Sequence, residues 1–134
     1  MFSRHLRVAV PASTATGAQT GNPVYIGDAH RVGIILRRSG GSSGNTVFTF
    51  KGSLDALDGT NAPTMSAINV WVDDVTNTNV QQLTRIGSKT LSNNPTDSDI
   101  VWLEYSAILN FIEVDWNTTT DGTAYAAILV EKED

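Results

Sequence analysis

The stretch from His30 to Thr60, HRVGIILRRSGGSSGNTVFTFKGSLDALDGT, carries the strongest fold signal in the chain. Apolar side chains alternate with polar or small ones from Val32 to Leu36, and the same period of two recurs around Phe48 and Phe50. This alternation is the pattern of half-buried β-strands. The polar, glycine-rich run 39–45 between them indicates a turn. The pattern predicts two strands joined as a β-hairpin.

Comparable short segments occur along the rest of the chain, separated by clusters of Gly, Asn, Asp and Pro, and no window shows a helical stripe. They lie at residues 6–10, 23–26, 67–74, 80–86, 100–105, 108–116 and 123–131. The sequence therefore predicts an all-β fold, either a single-domain β-sandwich or a jelly-roll-like fold of about eight or nine short antiparallel strands.

Two regions are expected along the chain. Residues 23–134 should form the single β-sandwich domain. Residues 1–22 should form a flexible N-terminal strand and arm, because the run 13–22 has few apolar side chains to anchor it. The core should be built mainly from the inward-facing apolar positions of the strands: Val32, Ile34, Leu36, Phe48, Phe50, Ile68, Val70, Val72, Leu103, Ile112, Val114, Ile128 and Val130.

Composition argues against several classes of partner. The 134 residues carry a formal net charge of −5 with nine Lys and Arg, which is a poor basis for coating nucleic acid. No apolar run approaches the roughly 20 residues of a membrane span. The chain has no cysteine, so a disulfide, a thiolate nucleophile and a zinc–thiolate site are excluded. We expect neither nucleic acid nor a membrane as partner.

No catalytic or cofactor motif stands out. His5 and His30 lack metal-chelating spacing, and the chain has no G-x-S-x-G elbow. The run 40–44 lacks the Gly-Lys-Ser/Thr end of a phosphate loop. Asp55 and Asp58 could offer two oxygen ligands to calcium, but the pattern favours solvated turn aspartates. We expect no enzyme activity, no catalytic residues, no metal and no cofactor.

Side chains predicted to lie outside the core suggest a protein interface. Trp71 shares a strand face with polar neighbours, so it is a cross-strand partner, a core residue of a strand buried on both faces, or an interface anchor. Tyr125 and Leu129 raise the same question on the last strand. Arg37 and Arg38 belong to the densest basic group, which suits a surface salt bridge or a protein contact. These five residues are the candidate partner-interface residues.

Two segments resemble small β-sandwich proteins of tailed-bacteriophage particles. They are Phe48–Thr60, FTFKGSLDALDGT, and Asn110–Val130, NFIEVDWNTTTDGTAYAAILV. In such proteins a strand runs into GSLDGT, and a late strand pairs with a last strand rich in small residues. Here Ala56 and Leu57 are inserted between Asp55 and Asp58. The similarity covers about a third of the chain.

The resemblance implies a structural virion protein. Its expected role is that of a capsid decoration (cement) protein, which binds and stabilises the outer surface of a phage head, or alternatively a neck or tail component. The implied partners are the major capsid protein and further copies of the chain in a homotrimer. The implied location is the capsid exterior after assembly in the host cytoplasm. A carbohydrate- or receptor-binding β-sandwich module, with Trp71 or Trp102 stacking on a sugar, is the alternative function.

Overall fold

The structure, a computed structural model, describes residues 1–57, 59–73, 83–103 and 108–133. Within these ranges the fold is all-β, with twelve strands and no helix. The strands are β1 (Phe2–Ser13), β2 (Gly17–Gln19), β3 (Val24–Tyr25), β4 (Arg31–Ser39), β5 (Thr46–Ser53), β6 (Ser66–Ala67), β7 (Val70–Asp73), β8 (Leu83–Ile86), β9 (Ser88–Leu91), β10 (Asp97–Trp102), β11 (Phe111–Thr118) and β12 (Thr123–Glu133). No helix of the described ranges is long and apolar enough to span a membrane.

The strands form two antiparallel sheets, which confirms the predicted all-β sandwich. Sheet A has the order β1-β12-β4-β10-β7-β8. Sheet B has the order β2-β11-β5-β6, with β3 also paired to β11 and β9 to β5. The expected number of strands was too low, because pieces of two to four residues such as β2, β6 and β9 are too short to show a period. The predicted strands 67–74, 80–86 and 100–105 lie partly outside the described residues.

The core lies between the sheets and contains the predicted side chains. Eleven of the thirteen predicted core residues are buried, and Ile68 and Leu103 are partly buried against them. Ala9, Val10, Val101 and Leu91 are among the further buried residues of this layer. The alternating pattern identified the core correctly because burial of one strand face is a local property of the sequence.

The predicted hairpin between β4 and β5 is wrong. β4 pairs with β12 and β10 in sheet A, whereas β5 pairs with β11, β6 and β9 in sheet B. Residues 40–45 therefore cross from one sheet to the other. The pairing of the late strand with the last one fails for the same reason, since β11 belongs to sheet B and β12 to sheet A.

The two crossings lie side by side at one end of the sandwich. Thr119 donates its backbone N–H to the Asn45 carbonyl oxygen at 2.9 Å, and Ser42 donates its N–H to Asp121 Oδ1 at 2.9 Å. Buried Thr46 and Thr118 share a hydroxyl hydrogen bond of 3.0 Å where β5 begins and β11 ends. These contacts join the β4–β5 connection to the β11–β12 connection.

Residues 1–22, expected as a strand and a flexible arm, contribute to both sheets. β1 pairs with β12 from Phe2 to Ser13, with register shifts after Val8 and after Val10. β2 pairs with residues 116–118 of β11. Ala9 and Val10 are fully buried in the core. A boundary at residue 22 is therefore not visible in the packing, whereas the flexibility of the segment stays a prediction.

Candidate interaction face

The outer face of sheet A presents a row of large side chains that crosses all six strands. Directly paired residues of neighbouring strands point to the same face. The pairing Leu6–Leu129–Gly33–Trp102–Trp71–Arg85 thus forms one continuous line. Leu6 is 55% exposed, Trp102 38% and Leu129 37%, although all three are apolar or aromatic. We call this line the central row.

A second apolar row runs beside the central row. It consists of Val8, Ala127, Ile35 and Ile100 in consecutive pairing. Val8 and Ile100 are exposed at its two ends, and Ala127 is buried between them. Together the two rows place five exposed apolar or aromatic side chains on one face of the sheet, and clusters of this kind are typical of interaction sites.

Arginines border this apolar surface. Arg31 donates to both oxygens of Glu131, at 3.1 and 3.0 Å, and Arg4 Nε donates to Glu131 Oε2 at 3.2 Å. Burial alone would raise the pKa of Glu131, but the hydrogen bonds from Arg31 and Arg4 hold it below its ordinary value. The row Arg4–Glu131–Arg31 therefore forms a charged rim along one side.

The opposite rim combines arginine with aromatic rings. The Arg37 guanidinium carbon lies 5.5 Å from the centre of the Tyr125 ring, in the geometry of a cation–π contact. At the end of the central row, the Arg85 guanidinium carbon lies 5.2 Å from the centre of the Trp71 ring. An apolar centre with a rim rich in Arg, Trp and Tyr is the composition of protein–protein interfaces. We call this surface, from the Arg4–Glu131–Arg31 row to the Tyr125–Arg37 pair, the interaction face.

Gly33 produces a hollow in the middle of the interaction face. Its missing side chain leaves a cavity of about 240 Å³ between Leu129 and Trp102, bordered by Arg31 and Glu131. The flanking side chains stand above this floor because the adjoining positions of the central row are large. A protruding apolar side chain from a partner would fit there.

The structure brings four of the five predicted interface residues together. Arg37, Trp71, Tyr125 and Leu129 all lie on the interaction face. Arg38 is the exception and needs correction, because its side chain is fully buried. The alternation of β4 turns Arg38 inward, where its guanidinium donates to Thr46 Oγ1, the Ser43 carbonyl oxygen and Asn94 Oδ1.

Sequence reasoning missed three exposed residues of the face, Leu6, Val8 and Ile100, and named Trp102 only as a sugar-stacking candidate. A strict period of two places Leu6 and Val8 on one side with Val10, but the register shift after Val8 turns Val10 inward while Leu6 and Val8 point outward. Ile100 and Trp102 belong to a continuous apolar run in which no period shows which side is exposed. The pairing of Trp102 with Trp71 is a tertiary fact.

The outer face of sheet B differs in chemistry. A groove of about 620 Å³ lies over β5 and β11, and amide, hydroxyl and charged side chains line much of it, among them Gln19, Thr49, Lys51, Asp115 and Asn117. Within the described residues, no group of three or more His, Cys, Asp or Glu is arranged to hold a metal ion. The groove thus offers several hydrogen-bonding side chains, whereas the two rows of the interaction face offer mainly apolar ones.

Two buried carboxyl groups lie beside the groove. Lys51 Nζ is 2.8 Å from Asp115 Oδ2 and 3.8 Å from Glu113 Oε2. Burial, together with the hydrogen bond and negative charge of Asp115, raises the pKa of Glu113 to about 7. Burial also opposes ionisation of Asp115, but hydrogen bonds from Lys51, Glu113 and the Gly21 N–H keep the pKa of Asp115 below its ordinary value. Near neutral pH the pair therefore carries between one and two negative charges.

Comparison with known proteins gives a likeness in fold. No family model matches the chain, and no curated protein matches it by sequence. Among solved structures, the chain resembles the SPBc2 prophage-derived protein YomS with a TM-score of 0.57 and 14% sequence identity. The superposition covers 98% of this chain and 96% of YomS. At this identity the likeness shows that the chain shares the whole-chain fold of YomS.

Proposed function

We propose that the protein is a structural component of a tailed-phage virion that acts by binding other proteins and not by catalysis. The observation that carries the proposal is the interaction face, whose exposed apolar rows and arginine rim have the composition of a protein interface. The fold shared with a prophage-derived protein supports the phage origin.

Within the virion, we propose a capsid decoration (cement) role on the outside of the head, with the major capsid protein as partner. A neck or tail position is the nearest alternative. Self-association supports either role, because linked copies bind a repeating lattice with an avidity about 10²–10⁴ times that of one copy. The homotrimer implied by the family resemblance stays a prediction, which the mass of the free protein tests.

Co-sedimentation with capsid shells from the phage that encodes the chain tests the decoration role. We expect the wild-type protein to sediment with shells, and Trp102→Ala to weaken that binding, because Trp102 lies on the face through which copies associate and a single copy lacks the avidity of linked copies. Leu57→Ala removes an equally apolar, exposed side chain outside the two rows and should bind like the wild type. Absence of wild-type binding to heads, with binding to necks or tails, would reassign the position in the virion.

The groove on sheet B favours one second candidate function, that of a carbohydrate-binding module. Sugars are bound by amide, carboxylate and hydroxyl groups, and Gln19, Thr49, Asp115 and Asn117 supply these groups in one depression. The expected stacking residues Trp71 and Trp102 lie instead on the opposite sheet. A glycan array tests this function. Sugar binding that is lost in Asn117→Ala and kept in Trp102→Ala would establish the groove on sheet B, and not the apolar face, as the binding site.

A further inference from the structure

We propose that the interaction face packs against the same face of a second copy of this chain, about a two-fold axis that runs parallel to the strands between β12 and β4. The inference rests on the self-association proposed above, but it sets a two-fold pair in place of the homotrimer that the family resemblance implies. The inference goes beyond that proposal by naming the contacts, the symmetry and the number of copies. A two-fold interface requires a surface that is complementary to itself.

The shape of the central row meets this requirement. A two-fold axis between β12 and β4 exchanges these strands, so Leu129 of one copy faces Gly33 of the other. Leu129 protrudes and is 37% exposed, whereas Gly33 forms the floor of the 240 Å³ hollow. Each copy therefore offers one knob and one hole at matching distances from the axis.

The flanking apolar side chains also match. The same axis exchanges β1 with β10, because these strands lie on the outer sides of β12 and β4. Leu6 of one copy then faces Trp102 of the other, and Val8 faces Ile100. All four are exposed in the single chain, so their burial supplies the apolar driving force of the contact.

The charged rims are complementary under the same rotation. Glu131 and Arg31 are paired neighbours on β12 and β4, so Glu131 of one copy meets Arg31 of the other. Tyr125 and Arg37 are paired in the same way, and their cation–π contact repeats between copies. Like charges on these two strands do not face each other, which electrostatic specificity requires.

The area of the overlap suits a weak, reversible pair. Seven residue positions along β12 and the four strands that overlap across this axis, β1, β12, β4 and β10, give a surface of about 23 Å by about 19 Å at the usual strand dimensions. Two copies would then bury on the order of 900 Å², which lies in the range of small, transient interfaces. Two sheets packed in this way lie about 10 Å apart, as in a β-sandwich core.

Sedimentation equilibrium of the full chain tests the proposal. We expect twice the 14.4 kDa chain mass at about 100 µM, because a small interface gives a weak, reversible pair. Leu129→Ala should raise the dissociation constant at least about tenfold, because it removes the side chain that fills the hollow of the other copy. Leu57→Ala, at an exposed leucine outside the two rows, should leave the mass unchanged. A wild-type monomer at about 100 µM, or a wild-type trimer, would overturn the proposal.

A charge exchange between two variants tests the symmetry itself. Glu131→Arg alone places two arginines opposite each other across the axis, and Arg31→Glu alone places two glutamates there, so each variant should be monomeric. Mixed in equal amounts they should form a pair, because every contact across the axis then joins Arg to Glu. This rescue acts only between chains, whereas the altered contacts within each chain stay altered.

The outcomes separate this inference from the virion role. A mixture that stays monomeric, with both variants folded by circular dichroism, would overturn the two-fold contact. Capsid binding by a monomeric wild-type chain would overturn this inference alone and leave the virion role standing. If the wild-type protein forms the pair but binds no part of the virion, the virion role is overturned and the two-fold contact stands.

Discussion

At the scale of single residues, Glu113 makes the stability of the protein depend on pH. Its pKa in the folded chain is about 7, against an ordinary value of 4.5. The folded state therefore keeps a proton in this interval that the unfolded state has released, and its contribution to stability is complete below pH 4.5 and lost as pH rises through 7. Aspartates with lowered pKa, such as Asp115, act in the opposite sense at lower pH.

We expect the free energy of unfolding to fall between pH 5 and pH 8 by up to about 3 kcal/mol. Glu113→Gln should reduce this slope, because the amide stays neutral at every pH and still fills the site beside Lys51 and Asp115. Urea unfolding of both proteins at several pH values measures the effect. An unchanged slope in the variant would assign the pH dependence to other groups.

Arg38 is a second residue whose environment predicts that its substitution strongly lowers the free energy of unfolding. Its buried guanidinium satisfies Thr46, Ser43 and Asn94, so Arg38→Leu leaves these groups without their donor inside the protein. We expect a loss of about 2–4 kcal/mol in the free energy of unfolding.

Lys89 provides the contrast for Arg38. The Lys89 ammonium lies 2.9 Å from Asp99, but both side chains are about a third exposed. A surface ion pair contributes only about 0–1 kcal/mol, so Lys89→Leu should cost little. Equal losses in the two variants, measured by urea unfolding, would contradict a structural role for Arg38 at the crossings.

At the scale of elements, the connection between β4 and β5 depends on two glycines. Gly40 and Gly44 have φ angles of +68° and +80°, in the region where other residues are strained. They differ in their surroundings. A Cβ at Gly40 would meet no atom within 4 Å, whereas one at Gly44 would overlap the Thr119 carbonyl oxygen of the neighbouring crossing.

This contrast gives a matched pair of substitutions. Gly40→Ala should cost about 1 kcal/mol, which is the backbone strain alone. Gly44→Ala should cost clearly more, since Asn45 and Thr119 must separate and lose their 2.9 Å hydrogen bond. Denaturant unfolding of both variants measures the difference. If the two costs were equal, contact between the crossings would not contribute to stability.

At the scale of the whole molecule, amide exchange of the free protein tests the N-terminal segment. The sequence predicts that residues 1–22 exchange quickly and are slowed only on the particle. The structure leads to a different expectation for β1, because an edge strand in an antiparallel sheet bonds alternate amides to its neighbour. We expect protection at alternate residues from Phe2 to Val8, with fast exchange at the positions between them. Uniformly fast exchange over residues 1–22 would instead support the flexible arm that the sequence predicts.

Much of the candidate face is within reach of sequence reasoning. The alternation along β4, β7 and β12 indicates which positions point away from the core, and Arg37, Trp71, Tyr125 and Leu129 occupy such positions. The inference works because the two faces of a strand are set by its local period of two. It fails at Arg38, where a charged side chain occupies an inward position and is satisfied by Thr46 across the crossing and by Asn94, 56 positions away in the chain.

The sequence by itself determined the all-β class, the core and the outward side chains of the regular strands. Tertiary structure alone decided that β4 and β5 belong to different sheets, because the flexible run 40–45 suits a hairpin and a crossing equally well. It also decided that Leu6, Leu129, Gly33 and Trp102 form one row. These residues are up to 123 positions apart, and only the register of paired strands brings them together.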